Sequence, residues 1–337
     1  MEENPILWLR EQDVVNAVSL NDAIRSLEVV MRKEGEDKAR NLPKVFTALP
    51  GGASLHALCS ALTDGKYCGT KTWINAPAGA TALYTLFDSH SGRALAVLEA
   101  NALGSLRTAG MAGLATKWLA AEDADEFAIV GAGKQALLQV AAVTVVRRLR
   151  RIRVYSRDEK RQRDFAAQLR EAFEIEVVTP RSIVETLAGA PIVTLVTRAT
   201  EAFVDGGMLA HGAHMNAVGA ILPSQVEIDR SVLARASTIV VDNMINVQNS
   251  SREFLDYFGP PGKTWERVET LGQRIVSARL RTDLEDLTLF KSVGMGLADL
   301  AVVISAYEVA QSRGLGNAIA YPVRSVPRWQ AFSGNAA

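Results

Sequence analysis

Cysteine is nearly missing from this 337-residue chain, which holds only Cys59 and Cys68. They form no C-x-x-C and have no nearby pair of histidines, so a metal site is not expected and a reducing cytoplasm fits. Both thiols read as small buried or half-buried side chains. An excess of one charge is missing too, because Lys plus Arg and Asp plus Glu number 37 each. That balance gives no support to a nucleic-acid or anionic-membrane partner. No uncharged apolar run reaches the ~18 residues of a membrane-spanning helix. The charged start MEENPILWLREQD lacks the apolar centre of a secretory signal. Low-complexity tracts, internal repeats and a G-x-S-x-G elbow are also lacking. The four histidines have no metal spacing. His56 falls on a strand, His90 in a hairpin turn, and His211 and His214 in a glycine turn, all read as structural.

What is there is enough for two domains or one large one: 48% of the residues are apolar, which supports a large core. Ser19 to Lys38 reads as a helix capped by Asn21 or Asp22. LPKVFTALP, ASLHALCSALT, KYCGTKTWINAP, TALYTLFDSHSG and RALAVLEA are β-rich segments separated by turn residues, with DSHSG as a hairpin. They predict an antiparallel sheet, followed by a helix from about Leu103 to Leu119. From Asp125 strands alternate with helices, including a helix capped by Asp158, and imply a doubly wound parallel sheet. A last helix runs from Gly296 to Ser312 and stops at Gly314. The fold class is therefore α/β, a Rossmann doubly wound parallel sheet plus an α+β antiparallel domain to which the last helix returns. The tail after Tyr321 is expected to wrap a neighbour or to fray.

Gly131-Ala132-Gly133-Lys134-Gln135-Ala136 stands between the strand EFAIV and a helix. This is a G-x-G-x-x-A loop in its required setting, with a pyrophosphate seated on the helix N-terminus. The next strand ends VYSRDEKR, so Ser156 stands where an NAD-selective site places an acid, and Arg157, Lys160 and Arg161 follow. A carboxylate would repel a 2′-phosphate, whereas serine and arginine would bind one. NADP(H) is the expected cofactor, with NAD(H) possible. The bland alternative, ordinary solvated helix charges, leaves the cofactor choice open. The run RRLRRIRVYSRDEKRQR also raises a nucleic-acid patch, but aromatic residues hardly interleave it.

Three cations stand out in the first half. Lys71 lies in the predicted strand YCGTKTW, Arg107 near a helix start in LGSLRTAG, and Lys44 after a proline in LPKVF. A cation on a mostly apolar strand is paired, faces a pocket, or sits on a wet edge. Arg107 as a capping or interdomain ion pair and Lys44 as a surface charge are the plain alternatives. From Asn216 to Gln225, where a buried strand runs into a Gly-Pro loop, no side chain is charged.

These landmarks together resemble the ornithine cyclodeaminase/μ-crystallin family over nearly the whole chain. The marks are Lys71 in GTKTW, Arg107-Thr108-Ala109, Gly131-Ala132-Gly133, Val218-Gly219-Ala220 with Pro223 and Glu227, and LFKSVGMGLADLAV from Leu289 to Val302. The resemblance implies a substrate-binding and dimerisation domain from both chain ends, residues 1–116 and 303–337, around a Rossmann domain at 117–302. It implies hydride exchange between nicotinamide and an amino-acid α-carbon, and a homodimer. Arg107 and Lys71 would hold the substrate carboxylate, with Lys71 also beside the reacting nitrogen or carbonyl. Lys44 stands where the family has a second arginine, which keeps the charge without the bidentate fork. Thr108, Thr197, Gly219 and Lys291-Ser292-Val293-Gly294 would lie near the cofactor, and Asp299 would anchor its helix. Cyclodeaminases carry an aspartate where this chain has Ile221, which cannot move a proton and would wall the pocket. The implied activity is an imino-acid (ketimine) reductase or the reverse amino-acid dehydrogenase. A lysine or ornithine cyclodeaminase with bound NAD, or a non-catalytic binding protein, are the alternatives.

Overall fold

Inward and outward residues alternate in the first half of the chain, whereas the central strands of the second half are short and wholly buried. That change of pattern separates two sheets. A computed structural model describes residues 5–327. Its first half comprises β1 (Ile6–Leu9), α1 (Glu11–Ala17), α2 (Leu20–Gly35), β2 (Ala39–Asn41), β3 (Val45–Leu49), β4 (Ala53–Leu62), β5 (Tyr67–Ala76), β6 (Gly79–Asp88), β7 (Ala94–Glu99) and α3 (Asn101–Leu119). Then come β8 (Glu126–Val130), α4 (Ala136–Val146), β9 (Arg151–Tyr155), α5 (Glu159–Ala172), β10 (Glu176–Val178), α6 (Ile183–Leu187) and β11 (Ile192–Leu195). They are followed by β12 (Ala213–Ala217), α7 (Arg230–Arg235), β13 (Thr238–Val241), α8 (Met244–Ser250), α9 (Arg252–Phe258), β14 (Val268–Thr270) and α10 (Leu271–Val276). The chain closes with β15 (Leu287–Lys291), α11 (Gly296–Arg313) and β16 (Asn317–Ile319).

The second sheet is parallel throughout, in the order β10-β9-β8-β11-β12-β15-β13-β14. Its strands are apolar on both faces because each face packs a core: Ala128, Val130 and Leu195 on one side, Phe127, Ile129 and Ile152 on the other. The strand order reverses between β8 and β11. A doubly wound sheet opens its ligand crevice at the carboxyl ends of the strands flanking such a reversal.

The first sheet runs β16-β1-β7-β6-β5-β4-β2, with β3 beside β4. Most pairings are antiparallel, as the sequence predicts, but β1 joins β7 in parallel and β16 closes the edge beside β1. The run ILWL was too short to register as a strand. The cap of α2 is Ser19, with Asp22 as its reciprocal partner in a capping box, not Asn21 or Asp22 as read from the sequence. The last helix is continuous and ends at left-handed Gly314, so a boundary at residue 303 falls inside it. Already in its first turn, Gly296 N and Leu297 N donate to Asn41 Oδ1 of the first sheet at 2.6 and 3.2 Å. The tail begins by packing on its own chain, Ala94 N donating to the Tyr321 hydroxyl at 3.4 Å. Residues 328–337 lie outside the described residues. Among the described residues no helix is long and apolar enough to cross a membrane.

The two sheets are held together by helices that pass very close. Small residues in RTAGMAGLAT let α3 lie against both α2 and α4; a Cβ on Gly113 would be 2.9 Å from the Ala142 carbonyl oxygen. Gly35 of α2 and Gly272 of α10 nearly touch. A Cβ on Gly272 would lie 2.5 Å from the Met31 carbonyl oxygen, while Thr270 Oγ1 donates to Glu34 Oε2 across the same seam at 3.0 Å. Gly272→Ala is therefore expected to cost about 1–3 kcal/mol by overpacking against backbone. A Cβ at Gly133 would meet nothing within 4 Å, so Gly133→Ala serves as the neutral control. Equal thermal midpoints for Gly272→Ala and the parent would refute the close crossing.

Candidate functional site

Lys71, Arg107 and Asp299 come from β5, α3 and α11 and meet on the buried face of the antiparallel sheet, beside the turn that follows β15. The pleat of β5 turns Lys71 inward, in register with Leu58 and Tyr84 on the buried face. Lys71 Nζ donates to Asp299 Oδ1 at 3.0 Å, and Arg107 Nε lies 3.4 Å from the same oxygen. Asp299 is fully buried. Its Oδ2 has no hydrogen-bond partner, and Arg107 Nε donates none. The sequence reading had made Asp299 a helix anchor; the structure makes it the shared counterion of both candidate cations. Nothing short-range signalled this, because Lys71 is 228 residues away.

Lys44 joins the cluster through an aromatic platform. Its Nζ is 5.7 Å from the centre of the Trp73 ring, and Lys71 Nζ is 5.3 Å from it. Trp73 stacks on His56 at 4.7 Å, and His56 on Phe46 at 5.6 Å, across three neighbouring strands. Burial lowers the Lys71 pKa, Asp299 opposes that shift, and Arg107 adds to it. Burial also lowers the Lys44 pKa, helped by the charges of Arg107 and Lys71. Burial and the charge of Lys44 lower the His56 pKa. Lys71 and Arg107 thus share one carboxylate, with Lys44 beside Lys71 at the Trp73 ring, an arrangement that favours a bound anion.

The Lys291-Ser292-Val293-Gly294 turn closes the cluster from the other side. Asp242 Oδ2 accepts from Ser292 Oγ, Val293 N and Gly294 N at 2.7, 3.0 and 2.7 Å. Asn246 Nδ2 donates to the Gly294 carbonyl at 2.9 Å, and Asn246 Oδ1 accepts from Lys44 N at 3.4 Å. Gly294 has φ +92°, and a Cβ there would lie 3.0 Å from an Arg107 guanidinium nitrogen. Lys291 does not present its charge to the crevice: it is fully buried and bonded to Glu253 Oε2 at 2.5 Å. Sequence reasoning missed Asp242, Asn246 and Glu253; DNMIN directly after the strand STIVV was the available signal.

The glycine loop has the shape that a dinucleotide needs. Gly131 has φ +117°, and a Cβ there would lie 2.8 Å from the Val196 carbonyl oxygen, so the turn crosses β11 closely. Above Gly133 the space is open, and α4 begins three residues on. Ala132 is half-buried, Lys134 is exposed, and Gln135 Nε2 donates to Ser105 Oγ at 3.4 Å. These residues fit a pyrophosphate on backbone N–H groups. Ser156 ends β9, its Oγ accepting from Asp158 N at 3.3 Å. Arg157 is exposed, with no ion pair or hydrogen bond among the described residues. Arg161 lies 3.4 Å from its own cap, Asp158. The rest of the arginine-dense run is largely paired: Arg150 and Arg153 with Glu126, Arg151 with Glu176.

Other candidates are engaged locally. Thr108 Oγ1 donates to the Gly104 carbonyl at 2.7 Å within α3. Thr197 and Gly219 both donate to Glu227. Ile221 is 38% exposed at the mouth of its loop, with its N–H on Gln225 Oε1 at 3.0 Å. His214 is buried between Thr288 Oγ1 and Asn216 Oδ1, and burial pushes its pKa down to about 3. That is the structural role the sequence suggested. Among the described residues no group of His, Cys, Asp and Glu is arranged to hold a metal ion.

The profile of the Ornithine cyclodeaminase/mu-crystallin family matches residues 7–314. A Delta(1)-pyrroline-2-carboxylate reductase of Bacillus cereus is 31% identical over 269 residues, 78% of this chain and 79% of the relative. The solved Delta(1)-pyrroline-2-carboxylate reductase of Thermococcus litoralis, in complex with NADH and L-proline, superposes with a TM-score of 0.85 at 28% identity. That alignment covers 93% of this chain and 100% of that one. An archaeal alanine dehydrogenase dimer with bound NAD also gives 0.85, at 27% identity over 93% of this chain and 98% of that chain. The chain belongs to the ornithine cyclodeaminase/μ-crystallin family.

Proposed function

We propose that the protein is an NADP(H)-preferring oxidoreductase that reduces the C=N bond of an imino acid (ketimine) to an amino acid, or runs the reverse. The observation that carries this is the buried Lys71–Asp299–Arg107 cluster at a Rossmann crevice. Relatives named for reduction of a cyclic imino acid and for alanine dehydrogenation support it. Arg107 and Lys71, assisted by Lys44, bind the substrate carboxylate. Asp299 keeps the two cations in place while leaving positive charge over for that anion. The bound cofactor supplies or accepts the hydride at the substrate carbon. A protonated imine needs no further acid, so orientation and electrostatics do most of the work. Where a proton is needed, the Lys71 ammonium supplies it from Nζ, with burial making it the more acidic. Ile221 puts an apolar side chain where a cyclodeaminase would handle amine and water.

The NADP(H) preference rests on Ser156 and the unpartnered Arg157, although the solved relatives hold NADH and NAD. A second copy of the chain is the proposed partner. The outer face of the antiparallel sheet leaves Leu55 and Ile74 exposed directly opposite each other on β4 and β5, 47% and 39% exposed. The free thiols Cys59 and Cys68 fit the expected cytoplasm.

Steady-state oxidation of NADPH and NADH across cyclic and acyclic imino acids is the central test. Turnover with kcat/KM higher for NADPH is expected. Lys71→Ala and Arg107→Ala should each lose about 10- to 100-fold, the scale of one hydrogen bond to a charged group. No turnover of any imine, ammonia release from ornithine with catalytic NAD, or better use of NADH would each overturn the corresponding part.

A pH profile tests the cluster. The Lys71 pKa is lowered, so its ammonium is lost as pH rises toward, but before, the ordinary lysine value of 10.5. Reductive activity should fall along that alkaline limb. Asp299 holds the Lys71 pKa up, so Asp299→Asn should move the limb to lower pH. A limb that stays put or moves up contradicts the assignment.

Sedimentation equilibrium is expected to show a dimer, and Leu55→Glu with Ile74→Glu a monomer. A monomeric parent would dispose of the interface.

A further inference from the structure

Glu227 and Glu253 are buried carboxylates that no step of the proposed reaction uses. Glu227 collects four donors. Its Oε1 accepts from Thr197 N and Thr197 Oγ1 at 2.7 and 2.8 Å, and its Oε2 from Gly219 N and Ala220 N at 2.9 and 3.0 Å. Glu253 takes over from there. Its Oε1 accepts from Glu227 N and Ile228 N at 2.6 and 3.1 Å, and its Oε2 from Lys291 Nζ at 2.5 Å. The chain of contacts therefore runs from Lys291 through Glu253 to Glu227, and on to Thr197, Gly219 and Ala220.

Its ends are the carboxyl termini of β15, β11 and β12, three consecutive strands of the parallel sheet. They lie on the far side of β8 from β9, whose end carries Ser156. With the glycine loop after β8 on the pyrophosphate and Ser156 at the adenosine ribose, the nicotinamide half of a cofactor falls toward these three strand ends. Gly219 is tightly enclosed: a Cβ there would lie 2.3 Å from Glu227 Oε1 and from Thr197 N and O. Four donors converging on two oxygens require an acceptor-only group, since an amide would face two of them with its own N–H atoms.

We propose that Glu227, backed by the buried Glu253–Lys291 pair, is a positioning residue that fixes the nicotinamide end of the crevice for hydride transfer. It touches the loops after β11 and β12 rather than the reacting atoms. Lys291 serves this relay, which explains a lysine at the start of the turn with its charge turned inward. The proposal rests on the reductase reading above.

The test compares NADPH with 2′-phospho-ADP-ribose, the same cofactor without nicotinamide, binding to the full-length parent and to Glu227→Gln. The fragment's Kd should change less than about two-fold, while NADPH binds about ten-fold more weakly. Single-turnover hydride transfer should slow by about ten-fold or more, with a larger isotope effect from 4-deuterated NADPH, while the imino-acid KM changes little. If Glu227→Gln does not fold, the pair Glu253→Gln with Lys291→Met removes the buried charges and keeps an acceptor for the two backbone N–H groups. It should show the same pattern more weakly. Equal weakening of both ligands, or a lowered thermal midpoint with parental binding and hydride transfer, overturns the relay while the reductase reading stands. A parent that neither binds NADPH or NADH nor turns over imines brings down that reading, and the relay with it.

Discussion

A single buried carboxylate holds the site and much of the fold in common. Asp299 lies in the first turn of the last helix, yet its partners are on a strand of the antiparallel sheet and on the helix that separates the two domains. Removing Asp299 leaves two buried cations without their shared counterion, and removing either cation leaves the buried carboxylate with one partner in place of two, so each change is costly. The three elements are thereby tied to one relative placement. The same constraint sets the chemistry, since two cations sharing one carboxylate oxygen still carry surplus positive charge toward the crevice.

The surroundings limit how that charge can be used. Trp73, backed by His56 and Phe46, gives Lys44 and Lys71 an aromatic surface in place of water. A lysine held there lacks the fork of an arginine but titrates more readily. Across the crevice, Asp242 and Asn246 fix the turn against Arg107 through backbone contacts. Lys44, Lys71 and Arg107 come from the antiparallel half and α3, whereas Asp242 and Asn246, which fix the turn beside them, come from the parallel half.

Local signals were legible. Alternation marked the antiparallel strands, the glycine loop marked the parallel sheet, and the three cations singled out, Lys44, Lys71 and Arg107, lie close together in the structure. What failed to show were partnerships across long stretches of sequence. Asp299 read as a helix anchor because Lys71 is so far away in the chain, and Lys291 read as cofactor-facing because Glu253 could not be placed behind it. The edge strand Ile6–Leu9 was invisible because four residues carry little periodicity, and its stability comes from β7 and β16. Ser19 was passed over as a cap because Asn21 and Asp22 are equally good caps by type; only the reciprocal bonding with Asp22 decides it.

The pairing of β1 with β16 brings the two ends of the folded chain side by side and makes the parallel domain an insertion within the antiparallel one. On the ribosome this has an order built into it. The strand bearing Lys71 and the helix bearing Arg107 are made early, but the carboxylate that they share emerges only after the whole parallel domain. That domain has its own core and can close first, since domains fold as units during synthesis. The antiparallel half gains that counterion only with α11, and its cations are solvated until then.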